Sequence, residues 1–457
     1  MAQPAETIYG KNFAIPQRLE RLPLTGYQKK IFYIIATAWF FDSMDLGMLT
    51  FVLGSIKADF QLTTVQAGLL SSASFLGMFL GAAIAGMLAD KFGRKIVFQT
   101  SMILWGSASF LCAFSPNVET LAIARILLGF GMGMEFPIGQ SLVSEFIPAK
   151  NRGRYIALLE GFWPIGFIAA GLLAYFILPV GGWRMVFLCE GIPAIFVLVI
   201  RRIVPESPRW LDASGQHEEA NKVMLVFEEE VRKSYGQELP PVPTIKDSVA
   251  APRSKKFSFF ELWAPGYVKR TIMVWSLWFF ALLGYYGITT WLGAFLQEAG
   301  YSVTKSVFYT IVISLAGVPG FFTAAYFIEA KGRKITIITV LLGCAISAYF
   351  YGTATSLTTL ILYGLCMQFF LFGMWSSIYA YTPELYPTRS RATGSGFASA
   401  VGRLGSLLGP SIVAIILPVT GQSGVFALGA ACFVLAALVV GVLGIETKGK
   451  VLEEISA

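Results

Sequence analysis

The chain has 457 residues, of which 55% are hydrophobic and 14% are charged, and its formal net charge is +8. Soluble proteins carry roughly 25% charged residues, and a soluble chain of this length would divide into two or three domains with polar surfaces. The composition therefore excludes an ordinary soluble protein and indicates a membrane protein.

Apolar runs recur along the whole chain, each long enough to cross a hydrocarbon core of about 30 Å. In chain order they predict spans 1 to 12 at residues 29–55, 65–89, 96–115, 119–144, 154–178, 184–203, 268–297, 303–328, 334–354, 357–382, 392–417 and 422–444. This pattern predicts an all-α membrane protein. Its predicted parts are an N-terminal six-helix bundle with its tail, a central loop, and a C-terminal six-helix bundle with its tail, at residues 1–203, 204–266 and 267–457.

Charged segments between spans show that the chain is an internal duplication. Residues 90–95 carry an acid, a glycine and two basic residues in the same order as residues 329–334, and residues 145–152 match residues 384–391 in the same way. One offset of 239 residues relates both pairs. The duplication predicts twelve transmembrane helices in two pseudo-symmetric six-helix bundles, with the functional site between the repeats.

Basic residues fix the predicted orientation. They gather in the N-terminal tail, in the loops after the even-numbered spans and in the C-terminal tail, whereas the opposite loops hold little beyond Lys57 and Lys305. Basic loops mark the cytoplasmic side, so we expect both termini and the central loop to face the cytoplasm in a multi-pass protein of the inner (plasma) membrane. Because these charges are spread over seven short loops rather than one patch, no nucleic-acid partner is expected.

Chemistry other than transport finds little support in the residues. All five cysteines fall inside spans without metal-ligand or disulfide spacing, and the single histidine, His217, lies in the central loop. No phosphate-binding GxxxxGK[ST] motif occurs, and no nucleophile and base can meet inside the membrane. We therefore expect no enzyme activity, no metal and no cofactor.

Charged residues inside spans are costly, at roughly 2.5–3.5 kcal/mol each at mid-helix, and so point to function. At 1.5 Å per residue, Asp45 lies ~21 Å above the inner start of span 1, and Arg125 lies ~9 Å below the outer start of span 4. In a core of about 30 Å they share one level, so they can pair either as a proton-coupling site or as a static ion pair. The alternative proton sites are Asp42, Glu135 and Glu160.

Arg403 lies about 18 Å into span 11, near the middle of the membrane. No acidic residue occurs in the predicted mid-membrane parts of spans 7–12. An unpaired buried guanidinium invites a substrate carboxylate, which it holds bidentately; the alternative is that it packs against helix-end carbonyl groups. Aromatic residues suited to stacking on a flat ligand, unless they face lipid, are Trp39, Trp163, Tyr285, Tyr286, Trp375 and Tyr379.

A further set of charges lies at the predicted cytoplasmic ends of the spans. These residues are Asp90, Arg94, Glu145, Arg152, Glu206, Arg209, Glu329, Arg333, Glu384, Arg391 and Glu446. Ion pairs among them would hold the cytoplasmic side shut and break when the halves rock. The alternative is that they are solvated anchoring charges, because isolated surface pairs contribute only ~0–1 kcal/mol.

Several of these segments resemble known transporter motifs over essentially the whole chain. Residues 86–95 resemble the loop 2–3 signature of the major facilitator superfamily, and residues 125–133 resemble its fourth-helix motif. Residues 205–211 and 446–454 are similar to the sugar-porter and organic-ion-transporter branch. The resemblance implies a transporter that works by alternating access between two six-helix bundles.

Within that branch, the resemblance implies roles for individual residues. Asp45 and Arg125 fall on the coupling pair of proton-linked sugar porters, and residues 401–410 resemble the eleventh helix of organic-anion transporters, where a basic residue goes with anions. Residues 271–296 contain no Gln or Asn, so the amide-rich seventh-helix motif of sugar porters is missing, which counts against a sugar.

The Asp42-Ser-Met-Asp45 segment, Tyr285-Tyr286 and Arg403 together resemble bacterial nicotinate (niacin) transporters. We therefore expect a monomeric secondary transporter in the bilayer that imports a small aromatic or heterocyclic monocarboxylate by proton symport. Nicotinate is the first candidate, and acids of the benzoate type come next. The alternatives are a facilitative uniporter, a drug or organic-ion antiporter, and a transport-derived nutrient receptor.

Overall fold

The computed structural model describes residues 15–242, 262–386 and 391–448, and nearly all of these are helical. Ten apolar helical segments are long enough to cross a membrane within these ranges, and two of them, 154–203 and 394–443, are 50 residues long. A straight helix of that length would measure ~75 Å, more than twice the hydrocarbon core. Each is divided by a glycine with positive φ, Gly182 (φ 66°) and Gly421 (φ 67°), a conformation that glycine adopts without strain. The predicted fold of twelve spans is confirmed.

The helices of the first half and of the central loop are α1 (Ile15–Glu20), α2 (Gly26–Asp59), α3 (Thr64–Phe92), α4 (Arg94–Ala113), α5 (Val118–Phe146), α6 (Ala149–Glu160), α7 (Phe162–Gly191), α8 (Val197–Ile203), α9 (Pro208–Ala213) and α10 (His217–Tyr235). Spans 1–4 are α2–α5. Span 5 is α6 with the first part of α7, and span 6 is the remainder of α7, a 3-10 turn at Ile192–Phe196, and α8.

The helices of the second half are α11 (Val268–Thr289), α12 (Leu292–Glu298), α13 (Val303–Leu315), α14 (Gly317–Lys331), α15 (Arg333–Gly352), α16 (Leu357–Tyr381) and α17 (Arg391–Leu443). Spans 7 and 8 are the pairs α11–α12 and α13–α14, and α17 forms spans 11 and 12. Residues 243–261 of the predicted central loop, the first 14 residues and residues 449–457 lie outside the described part of the chain.

Two of the spans that the hydropathy pattern predicts as continuous are interrupted just before a proline. In span 5, α6 ends at Glu160, and in span 8, α13 ends at Leu315. Four residues further on stand Pro164 and Pro319. Proline has no N–H to donate to the carbonyl four residues earlier, and its ring clashes with that carbonyl. Each proline thus accounts for the end of the preceding helix, and at Glu160 the break lies in the middle of the molecule.

The two halves repeat the same connections after spans 2 and 8. Glu206 accepts hydrogen bonds from the backbone N–H groups of Arg94 (3.0 Å) and Lys95 (3.1 Å), where α4 begins. Glu446 does the same for Arg333 (2.8 Å) and Lys334 (3.1 Å), where α15 begins. A carboxylate at a helix N-terminus satisfies free N–H groups and faces the positive end of the helix dipole. The duplication is therefore present in the tertiary structure as well as in the sequence.

The most extensive contacts between the halves lie away from the face that carries the basic loops, which we call the basic face. There α3 packs on α17, α7 on α13, and α2 on α12. Ser72 donates a hydrogen bond to the Leu407 carbonyl at 2.7 Å. At the far ends of spans 1 and 7, Lys57 and Glu298 form an ion pair of 2.6 Å. The space between the halves is therefore closed on the side opposite the basic face.

Candidate functional site

A cavity with ≈ 540 Å³ of empty space, part of it open to solvent, lies between the two halves. Its walls come from spans 2, 4 and 5 of one half and spans 7, 8, 10 and 11 of the other. The lining residues are Met78, Phe136, Glu160, Trp163, Pro164, Trp278, Leu282, Tyr286, Phe321, Phe372, Trp375, Tyr379, Ser399, Arg403 and Ser406.

The cavity follows the duplication. Three pairs of positions that the 239-residue offset relates line it, and these pairs are Phe136 and Trp375, Glu160 and Ser399, and Pro164 and Arg403. Equivalent positions of repeats related by an axis along the membrane normal lie at equal depth. Arg403 is four residues from Ser399, so its backbone lies one helical turn, ~6 Å, from the level of Glu160.

Arg403 is the cationic side chain of this cavity. Its Nη1 lies 3.8 Å from Met78 Sδ, and its guanidinium carbon lies 5.0 Å from the centre of the Phe136 ring. Tyr286 and Tyr379 are its neighbouring ionisable groups. Among the described residues, no carboxylate forms an ion pair with Arg403. The guanidinium thus rests against an aromatic ring in a cation–π contact and against a sulfur atom, and no described carboxylate neutralises it.

Glu160 lies in the same cavity, on the wall that the N-terminal half supplies. Gln140 Nε2 donates a hydrogen bond to Glu160 Oε1 at 3.0 Å, and the indole of Trp39 adjoins the carboxyl group. The side chain is otherwise buried. Depth arithmetic from the sequence places Glu160 beside Glu135 as an alternative proton site, but the structure brings Glu160 together with Arg403 around one cavity.

Aromatic rings form the remaining walls. Trp375 and Tyr379 are stacked with their centres 5.7 Å apart, and Tyr379 meets Trp278 edge-on at 5.3 Å. Tyr286 and Trp163 also line the cavity. These flat surfaces suit stacking and edge contacts with a planar ring.

Two of the predicted aromatic residues are placed differently. Tyr285 lines a neighbouring cavity of ≈ 390 Å³ rather than the main one. Trp39 lines neither, because it is fully buried against Phe136, with ring centres 4.8 Å apart. Sequence reasoning missed Phe136 and Met78, which are apolar residues in apolar spans. The signal that could have found Phe136 is the duplication, which relates it to Trp375.

A second group of charges is buried within the N-terminal half. Asp45 has Arg125 and Glu190 as its neighbouring charged groups, as the common level of Asp45 and Arg125 predicts. No hydrogen bond or ion pair joins Asp45 to Arg125 in this conformation, and the Arg125 guanidinium carbon lies 5.8 Å from the centre of the Phe187 ring. Arg125 also lines the neighbouring cavity, which shares Trp163 and Tyr286 with the main one.

Three further buried acids, Asp42, Glu135 and Glu190, belong to this group. Asp42 neighbours Asp45 and Glu135, and Glu135 Oε2 accepts hydrogen bonds from Trp105 (3.0 Å) and Ser101 (3.3 Å). Glu190 is the member to which the sequence assigns no role. The group contains four buried carboxyl groups, of Asp42, Asp45, Glu135 and Glu190, around one buried guanidinium. Unpaired charge in the membrane is costly, and the carboxyl groups of this buried group outnumber its guanidinium four to one.

The charges at the basic face pair within each half. Arg94 meets Asp90 at 2.6 Å and Glu145 at 3.8 Å. In the other half Arg333 repeats this pattern with its two carboxylate partners, Glu329 at 2.9 Å and Glu384 at 3.0 Å.

In the N-terminal half Glu20, outside the membrane spans, receives both Arg209 at 2.7 Å and Arg152 at 3.4 Å. Burial opposes ionisation of Glu20, but the two guanidinium groups outweigh it and lower its pKa. Among the described residues, no ion pair joins the halves at the basic face; the side chain of Arg391 lies outside the described part.

Glu446 is a predicted basic-face acid that lies outside the membrane spans. Burial opposes its ionisation, but the backbone N–H groups of Lys448, Arg333, Lys334 and Thr447 outweigh burial, so its pKa lies below the usual value of 4.5. The carboxylate therefore ties the end of span 12 to the start of span 9 in its charged form.

Comparison with known proteins decides the family. Residues 28–457 match the model of the sugar (and other) transporter family. The chain belongs to this family of the major facilitator superfamily. It is 40% identical to the niacin transporter NiaP of Acinetobacter baylyi, over 96% of this chain and 98% of that protein. It is 34% identical to a putative niacin/nicotinamide transporter NiaP of Bacillus subtilis, over 93% and 98% of the two chains.

Solved structures agree on the fold. The inward-open form of the xylose transporter XylE from Escherichia coli superposes with a TM-score of 0.74, covering 94% of this chain and 99% of that chain at 21% identity. The family and its members are membrane transporters, so this chain is a multi-pass secondary transporter rather than an enzyme.

Proposed function

We propose that this transporter imports nicotinate, or a closely related small aromatic or heterocyclic monocarboxylate, by proton symport and alternating access. The observation that carries the proposal is the guanidinium of Arg403, which faces a cavity walled by aromatic rings and forms no ion pair with a described carboxylate. The names of the two relatives, niacin transporter and putative niacin/nicotinamide transporter, support the same substrate.

Two kinds of contact would bind the substrate. Arg403 presents a planar fork that matches both oxygens of a carboxylate. Tyr286, Trp375 and Tyr379 offer ring faces and edges to the planar ring. A monocarboxylate with one aromatic ring satisfies both, whereas a sugar has no charge for Arg403 and needs many polar partners along walls that are mostly aromatic.

Proton coupling would use Asp45 with Arg125, and Glu190 as a further acid beside them. Protonation of Asp45 removes its attraction to Arg125, an interaction that is strong at low dielectric. Arg125 lines the cavity that shares Trp163 and Tyr286 with the substrate cavity. A proton on Asp45 and a ligand on Arg403 would therefore both affect Trp163 and Tyr286, the residues that the two cavities share.

Alternating access would then close the cavity at the basic face and open it on the opposite side. On the side opposite the basic face, Lys57 and Glu298 form the bridge that must break for that side to open. The predicted cytoplasmic gate, including Arg94, Arg333 and their carboxylate partners, would rearrange as the basic ends of the halves meet. We place the basic face and both termini in the cytoplasm and expect a monomer in the plasma membrane.

Uptake of labelled nicotinate into proteoliposomes of the purified protein tests the proposal. A symporter accumulates nicotinate above the equilibrium level when the outside is acidic, and a protonophore abolishes this accumulation. A uniporter equilibrates the label and ignores the gradient, an antiporter accumulates it under the reversed gradient, and a receptor binds it without flux. Any of the last three results overturns the symport mechanism. Absence of both binding and flux overturns the substrate.

A further inference from the structure

The cavity holds a second charged side chain that carboxylate binding by Arg403 does not use. Glu160 stands on the opposite half from Arg403, at the interrupted end of α6. Its Oε1 accepts a hydrogen bond from Gln140, which fixes the direction of the carboxyl group. Carboxylate binding by Arg403 and ring contacts with the aromatic walls leave this buried acid without a role in the cavity that it lines.

The depths of the two groups indicate what kind of ligand could meet both. The backbone of Arg403 lies one helical turn, ~6 Å, from the level of Glu160. Tyr379 lines the same cavity and has both Glu160 and Arg403 as charged neighbours. One planar ring beside Tyr379 can therefore direct a carboxylate to one side and a ring atom to the other.

We propose that Glu160 recognises the ring nitrogen of the substrate, which makes this site selective for nitrogen-heteroaromatic carboxylates over carbocyclic ones. This inference rests on the proposed function and adds the specificity-determining residue to it. The contact is a hydrogen bond with one shared proton. Either the protonated carboxyl group donates to a neutral ring nitrogen, or the ionised carboxylate accepts from a protonated one, and the proton count of the complex is the same.

A benzene ring offers only C–H at that place. It would bury Glu160 against carbon and leave its carboxyl group without a ligand partner. Sites built to hydrogen-bond a polar substrate atom reject analogues that lack it, because their own buried polar groups are left unpaired. For a hydrogen bond with a charged partner the expected discrimination is ~10–100-fold in affinity.

Competition against labelled nicotinate binding to the wild-type transporter in proteoliposomes gives the first test. Benzoate, which differs by the ring nitrogen alone, should compete at least about tenfold more weakly than unlabelled nicotinate. N-methylnicotinate, whose nitrogen can neither donate nor accept, should also compete poorly. Competition by benzoate within about threefold of nicotinate overturns the inference without any variant, while leaving the role of Arg403 intact.

Variants then assign the effect to Glu160. In Glu160→Leu, nicotinate should lose about tenfold or more in affinity, benzoate should change by less than about threefold, and the two should converge. Ser399→Ala, at the equivalent position of the other half, should keep the wild-type ratio whatever its effect on absolute affinity. An unchanged ratio in Glu160→Leu refutes the inference. If Glu160→Leu does not fold, the wild-type comparison still decides. Failure of the proposed function has a different signature: neither acid binds the wild type.

Discussion

Removing the charge of Arg403 tests the substrate assignment most directly. In Arg403→Ala a bound carboxylate would keep its place in the cavity but lose its cation. Since no described carboxylate pairs with Arg403, no internal group is set free to compensate. Truncating one member of a buried hydrogen-bonded charge pair costs ~2–5 kcal/mol. At 1.4 kcal/mol per factor of ten, nicotinate binding should weaken by ~30- to ~4,000-fold.

Two further variants separate charge from shape. Arg403→Lys keeps the charge but loses the planar fork, so its affinity should lie between wild type and Arg403→Ala. Arg403→Met keeps an unbranched stem beside Phe136 and Met78 without any charge. It should therefore bind nicotinate about as weakly as Arg403→Ala, although the cavity volume is largely retained.

The assay is binding of labelled nicotinate, with nicotinamide as the neutral competitor. The wild type should prefer the acid to the amide, and Arg403→Ala should lose much more affinity for the acid than for the amide. Equal losses for acid and amide would refute the reasoning, because they would mean that Arg403 shapes the cavity rather than reading the carboxylate. The assignment to an organic anion would fail with it.

The remaining predictions concern coupling, stability and the closed face. Asp45→Asn should abolish accumulation driven by a pH gradient while sparing nicotinate exchange in proteoliposomes; gradient-driven accumulation that survives would make Asp45 structural. Because the pKa of Glu446 lies below 4.5, its stabilising contribution is complete above that pH and is lost as the pH falls through its lowered pKa. The melting temperature of the wild type should therefore fall more steeply on acidification than that of Glu446→Gln, and parallel curves would contradict this. Lys57→Ala breaks a partly exposed ion pair worth ~0–1 kcal/mol, so it should modestly speed labelling of Thr50→Cys by an impermeant thiol reagent from the side opposite the basic face; unchanged labelling would show that other contacts hold that side closed.

Depth along the membrane is the property of the site that the sequence predicts well. Rise per residue places Asp45 and Arg125 at one level, and the structure brings them near each other. The same arithmetic cannot tell on which side of a helix a residue lies once the helix is broken. Span 5 is interrupted directly after Glu160, four residues before Pro164. The helical phase of the residues on either side of the break therefore does not follow from the hydropathy pattern.

Contacts between distant spans are the part that could not be predicted. Glu160 and Arg403 meet around one cavity because the two halves face each other, and no local pattern in either span records this. The duplication gives a partial remedy, since its offset relates Glu160 to Ser399 and Phe136 to Trp375, two pairs that line the cavity. The sequence does not show that Glu190 lies beside Asp45. A role for Glu190 could be considered only once the tertiary structure brought the two together.

The seat of Arg403 has a mechanical consequence. The residue belongs to the C-terminal half. Its guanidinium, however, contacts two groups of the N-terminal half, Met78 Sδ and the Phe136 ring. A rocking movement that parts the halves along this seam withdraws the guanidinium from its support and frees it to swing. In the proposed function, the hold of Arg403 on a carboxylate would therefore depend on the relative position of the halves, so the movement that opens the cavity would also weaken substrate binding.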